Sequence, residues 1–233
     1  MPSINRILNG LAVTALTLLQ VASAAPAQAH NKSGGKPTTT AVATVALSAA
    51  PGLVVPGAGD STAIPLPTSS LVVVAVGRGT QNYSCSAVGA TAVAVGAMAT
   101  LFDATAMASN PTALIDFVKA AVMLPAPRGL RTIGQHFFLA DGTPFFELTA
   151  GVAKGKSAQV AKIGDLAAPT TAGKGPNGSS AVDWLFLTSK ASPYVSVGVS
   201  AVYRVETAGG SPATCTAVGL QTVQYAAEYW FYA

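Results

Sequence analysis

Between Val195 and Val205 the chain alternates strictly. Val195, Val197, Val199, Ala201, Tyr203 and Val205 fall on one side, and Ser196, Gly198, Ser200, Arg204 and Glu206 on the other. Successive side chains of a strand point to opposite faces, so this spacing predicts a strand with one apolar and one mostly polar face in an antiparallel sheet. A second run follows Gly209, Gly210 and Pro212 and closes with Tyr225, Ala226, Ala227, Glu228, Tyr229, Trp230, Phe231 and Tyr232. Its rings fall on both faces, which predicts either a strand covered on both sides or one apolar face left as a contact surface. Such rings more often close a core than meet a ligand, but Tyr203, Tyr229, Trp230 and Tyr232 are the candidates for a binding platform.

The rest of the chain repeats the β signal. Leu71–Val76 and Thr80–Ala87 flank Gly77-Arg78-Gly79 and read as a hairpin. Val88–Leu101 reads as a strand, and Ile133–Phe138 and Pro144–Ala150 pair around a turn at Asp141-Gly142. Lys154–Ala161 and Val182–Leu187 add two more, separated by a long loop over Asp165–Ser180. One helix is expected from Pro111 to about Met123. Asn110 precedes its proline, Leu114, Phe117, Val118, Ala121 and Val122 recur at helical spacing, and Pro125 and Pro127 end it. These elements predict a mainly β chain over residues 70–233. It should form a single antiparallel β-sandwich or barrel of about eight to ten strands with one or two short helices.

Ahead of that domain, Arg6 and the apolar run Ile7–Val21 read as a secretory signal, cleaved after Ala24 or after Ala29. The run is about 15 residues, short of the roughly 20 that cross a bilayer. Residues 25–69 read as a flexible, proline-broken leader, so the mature chain is expected to be extracellular and free of the membrane. In that compartment Cys85 and Cys215, the 2 cysteines of the chain, most simply form a disulfide, two buried thiols being the alternative. Asn31, Asn82 and Asn177 match the N-glycan acceptor pattern. Asn177 sits in the long loop and is the favoured site with Asn31 as a second, whereas Asn82 lies inside a proposed strand. Only 9% of residues are charged, and the formal charge of +4 is scattered without a basic run, which argues against nucleic-acid binding.

Chemistry is thinly marked. Gly77-x-Gly79 lacks the third glycine and the following helix of a dinucleotide loop, strands and helices do not alternate, and no serine sits in a Gly-x-Ser-x-Gly elbow. His136, Asp141 and Glu147 share the second hairpin and form the candidate acid–base or weak metal site. The more ordinary reading is a hydrogen-bonded histidine with two turn or surface carboxylates. His30 becomes the N-terminus after the later cleavage and could join His136 in a copper brace, although the Asn-Lys-Ser-Gly-Gly that follows offers nothing to anchor it. Asp103, Asp141, Glu147, Asp183, Glu206 and Glu228 supply candidate glycosidase pairs. No cofactor is expected.

Several short segments, in order, resemble the DUF3455 family of secreted fungal and bacterial proteins of unknown function. They include Gln81-Asn82-Tyr83-Ser84-Cys85, Ala99-Thr100-Leu101-Phe102-Asp103-Ala104 and Gly134-Gln135-His136-Phe137-Phe138. Gly142-Thr143-Pro144-Phe145-Phe146, Val182-Asp183-Trp184-Leu185, Val202-Tyr203-Arg204-Val205, Gly209-Gly210 with Cys215, and Tyr225–Tyr232 complete the set. The resemblance runs from about Leu71 onward. It implies a secreted β-rich domain with its two cysteines paired, and no agreed catalytic residues. Members are sometimes labelled malate dehydrogenase, against which stand the missing glycine fingerprint and the signal segment. The leading expectation is a secreted or cell-wall protein that recognises a glycan or a host or cell-wall protein. The alternative is a hydrolase or metal-dependent enzyme centred on His136, Asp141 and Glu147.

Overall fold

The computed structural model describes residues 54–233 apart from 126 and 128. Eight strands follow one another: β1 (Leu71–Cys85), β2 (Val93–Asp103), β3 (Thr132–Phe138), β4 (Pro144–Leu148), β5 (Lys156–Leu166), β6 (Trp184–Ser189), β7 (Ala201–Gly209) and β8 (Gly219–Tyr232). Each pairs antiparallel with the next, and β8 returns to pair with β1 from Leu71↔Tyr232 to Cys85↔Gly219. Of the two expected architectures the chain adopts the barrel. Closure pairs strands all the way round, which removes the open flanks of a flat sheet wherever neighbouring strands overlap.

One α-helix, α1 (Pro111–Ala121), lies among the described residues, where the sequence placed it. Pro111 occupies the first turn, whose N–H needs no partner, and the Asn110 side chain accepts from the N–H of Ala113 at 3.2 Å. Its buried positions Leu114, Val118 and Ala121 face the outside of the barrel.

Two apolar layers result. Inside the barrel, Leu101, Ile133, Phe146, Leu148, Tyr229 and Phe231 fill the lumen, with the Phe146 ring edge-on to Phe231 at 5.4 Å. Outside, Val74, Val76, Tyr203, Trp230 and Tyr232 pack under α1, together with Val55 and Ile64 from the segment ahead of β1. Strand β8 is therefore buried on both faces from Tyr225 to Tyr232. The covered-strand alternative is the one the fold adopts.

Three local expectations change. Gly77-Arg78-Gly79 makes no turn, because β1 runs unbroken through it. A Cβ on Gly77 would clash with the Tyr229 ring, and one on Gly79 with the Met98 carbonyl oxygen. These glycines let a neighbouring ring and a neighbouring strand approach closely, a use of glycine that leaves the same sequence mark as a turn. The alternation before Ala201 is not a strand either. Gly198 takes φ +61°, and Val195 and Val197 are exposed while Val199 is buried. At the far end of β7 the register slips between Val205 and Ala208, with Glu206 at φ +43°, so the pattern breaks at a bulge. Finally, β2 begins only at Val93, opposite Ser84.

Cys85 at the end of β1 is bonded to Cys215 in the β7–β8 connection, with Cα atoms 5.7 Å apart and a sequence separation of 130. A loop of that length corresponds to about 4–5 kcal/mol in the chain-entropy account.

Candidate functional site

The β3–β4 ladder decides what the expected triad can do. His136 stands opposite Phe146 and Gln135 opposite Glu147. Alternation therefore sends His136 into the barrel and Glu147 to the solvent face. The His136 side chain is 4% exposed, and its ring stacks on Phe146 at 4.1 Å with planes 10° apart. Its Nδ1 lies 2.9 Å from the Phe145 carbonyl oxygen, and because a carbonyl only accepts, Nδ1 carries the hydrogen. Burial pushes the pKa down to about 4, outweighing that bond, so the ring is neutral near pH 7.

Asp141 sits at the exposed turn between the two strands and is tied to other partners. Its carboxylate accepts from the Thr143 N–H at 2.9 Å, the Thr143 hydroxyl at 3.0 Å and the Tyr194 hydroxyl at 2.8 Å. These bonds, the backbone one first, hold its pKa below the ordinary value. Lys190 completes the knot: its Nζ donates to Thr143 Oγ1 at 2.8 Å and stands 3.3 Å over the Tyr194 ring. The structure thus places Asp141, Thr143, Lys190 and Tyr194 together and leaves His136 and Glu147 out. Only Asp141 of that knot stands out in the sequence, since Lys190 and Tyr194 come from a separate connection.

The remaining carboxylates go elsewhere. Asp103 Oδ1 accepts from the Thr105 N–H at 3.2 Å and hydroxyl at 2.9 Å, and its other oxygen lies 3.4 Å from Arg131. The Asp183 carbonyl holds the Arg204 guanidinium at 2.8 Å. Glu228 is 1% exposed in the layer under α1, where one oxygen accepts from Trp230 Nε1 at 2.9 Å. Its other oxygen has no partner among the described residues. Burial pushes its pKa up to about 8, with the negative charge of Glu206 adding to the effect. Glu206 is itself raised by burial, partly offset by Lys119. Glu206 and Glu228 are thus the electrostatically linked carboxylate pair, but Glu228 is closed off from any sugar.

Tyr203, Tyr229, Trp230 and Tyr232 are all buried, so the structure presents none of the four as an open platform. Asn177 is exposed in a turn with φ +61°, while Asn82 lies within β1. His30 and Asn31, with the leader reading over residues 1–53, lie outside the described residues. Among the described residues no three His, Cys, Asp or Glu side chains gather as a metal site.

An open cleft of about 570 Å³ lies instead beside the disulfide, lined by Thr80, Asn177, Ser179, Ser211, Thr222 and Gln224 among others. No charged, histidine or aromatic residue lines it. Its walls are pinned: Ser211 N–H donates to Ser180 O at 3.0 Å, its hydroxyl to Ala181 O at 3.0 Å, and Gly175 N–H to Ser179 O at 2.9 Å. Short hydroxyl and amide side chains from four separate stretches make this cleft, and no sequence spacing marks them as a set. No helix of the described residues is long and apolar enough to cross a membrane. A family model described as a protein of unknown function, DUF3455, matches residues 66–233. No curated protein and no solved structure matches the chain.

Proposed function

The chain belongs to the DUF3455 family, a family of unknown function, and from that premise we propose that it is a secreted or cell-wall protein acting by surface recognition and not by catalysis. One observation carries this reading. The cleft beside the disulfide offers hydroxyls and amides without an acid, base or nucleophile partnership, the Asp103 and Arg131 side chains that line a second hollow pair with each other at 3.4 Å, and His136, the one histidine in the domain, is walled into the barrel. Hydroxyl and amide groups suit a neutral, hydrogen-bonding ligand such as a glycan or an uncharged stretch of a cell-wall or host protein. The disulfide and the signal-like leader support an extracellular setting. Asn177, exposed at the rim of the cleft, is the proposed glycan acceptor. An antiparallel barrel has no switch point of parallel strands at which a dinucleotide would bind, which counts against a malate dehydrogenase.

A glycan array combined with a polysaccharide-hydrolysis screen on the purified mature protein tests the reading. Retention by a neutral glycan is expected without product release. Replacing Thr222 with Lys and Gln224 with Ala should weaken retention at least tenfold. Product release that disappears in His136→Ala would establish the enzyme instead.

A further inference from the structure

Strand lengths in the barrel are unequal, and the mismatch leaves an overhang. Pairing of β2 with β3 starts at Ala99↔His136, and β3 ends at Phe138, so Val93–Gly96 lies past it. Pairing of β7 with β8 stops at Gly209↔Tyr225, so Gly219–Gln224 lies past it too. Strand β1 holds both, with Ser84 opposite Val93 on one side and Leu220 on the other. The result is a three-stranded extension of the barrel, buttressed at its tip by the disulfide and by Gly89 N–H donating to Cys215 O at 2.8 Å.

The two flanks of this extension differ. The β8 flank borders the hydroxyl-lined cleft. The β2 flank has no partner strand among the described residues; it carries no lysine, proline or inward charge, and the one edge-protecting device it has is the bulge beside Tyr83. Val93 and Val95 are 62% and 51% exposed, and Leu220 on the same outer face as Val93 is 69% exposed. A register slip beside Tyr83 leaves Val95 without a β1 partner, out at the edge. Charge is missing from the whole extension: neither 79–102 nor 207–227 contains an Asp, Glu, Lys or Arg.

We propose that the β2 edge around Val93–Gly96 is a dimer interface, pairing antiparallel with the same segment of a second copy of this chain. An antiparallel pair of identical edges is self-complementary about a two-fold axis, and here it sets valine against valine. The full-length chain carries a formal +4 and stays positive without Arg6, so two copies repel wherever basic residues would meet, and this uncharged end lets them approach without that cost. On β2 itself Val93, Val95 and Met98 are 62%, 51% and 61% exposed, and Val88, Val218 and Leu220 add exposed apolar side chains at the same end of the barrel. A continuous sheet across the two-fold would also supply partners for the unpaired backbone groups of the edge.

Sedimentation of the mature protein over a wide dilution series tests this. A reversible dimer is expected, with Val93→Lys/Val95→Lys raising its dissociation constant at least tenfold and Val197→Lys, on an exposed residue outside the extension, leaving it unchanged. If the lysine variant folds poorly, Val95→Cys serves in its place. It should form a disulfide-linked dimer under mild oxidation, while Val197→Cys should not. A monomer at every concentration, or a dimer indifferent to these changes, overturns the proposal. So does a monomer that uses this edge to bind neutral phosphatidylcholine vesicles or an extended peptide.

Discussion

The lumen of the barrel and the layer beneath α1 are built against opposite faces of the same strand, yet they treat polar groups differently. In the lumen the Tyr225 and Tyr229 hydroxyls bond each other at 2.9 Å, and His136 Nδ1 donates to the Phe145 carbonyl. In the outer layer Glu228 Oε1 and Trp184 Nε1 are buried without partners among the described residues. A closed sheet surrounds its interior with strands in fixed register, so most polar groups there meet a partner set by pairing; the exception is Gln81, opposite Ala97, whose Nε2 is also buried without a partner among the described residues. The outer layer is assembled from a helix, a connecting segment and a bulged strand, and its polar atoms inherit no such partners. Glu228 and His136, one from each layer, also shift in opposite senses.

The sharpest way to break the comparison is to spoil the close fit of the lumen wall. Gly79→Ala places a methyl where the Met98 carbonyl stands, and should cost more than about 5 kcal/mol, read as loss of folded protein. Glu228 comes next. Its pKa is raised in the fold from 4.5 to about 8, so the stability it contributes is complete below about pH 4.5 and lost as pH rises through 8. In Glu228→Gln the loss between pH 4.5 and 9 should shrink by roughly 4 kcal/mol, measured by chemical denaturation across pH. His136 behaves in the opposite way. Its pKa is lowered from 6.5 to about 4, so its contribution is complete above pH 6.5 and disappears as pH falls through 4. His136→Phe should reduce the loss between pH 7 and 4 by about 3 kcal/mol in the same assay. The smallest effect sharpens the contrast: Tyr225→Phe removes the hydroxyl that partners Tyr229 and should cost about 1 kcal/mol at neutral pH. If Glu228→Gln leaves the alkaline limb unchanged, the two layers do not differ in the way described.

Much of this architecture can be read from the chain. The helix was legible because Asn110, Pro111 and the apolar spacing agree, and the second hairpin because Asp141-Gly142 separates two short apolar runs. Gly77 and Gly79 misled because a glycine making room for a ring and one making a turn look alike until the neighbouring strand is known. Glu228 was visible as a carboxylate in an aromatic run, but its closure under α1 depends on which face of β8 turns outward. The cleft had no signature at all. Thr80, Ser179, Ser211 and Thr222 are common residues far apart in the chain, joined only by the barrel's closure and the disulfide.

That closure has a consequence for biosynthesis. Because β1 waits for β8, the first strand of the domain stays without one lateral neighbour until the last has left the ribosome, and neither hydrophobic layer has its full wall before then. Contacts this distant along a chain form slowly. Removing only the final few residues of such a polypeptide should therefore leave an aggregation-prone remnant in place of a slightly shorter protein.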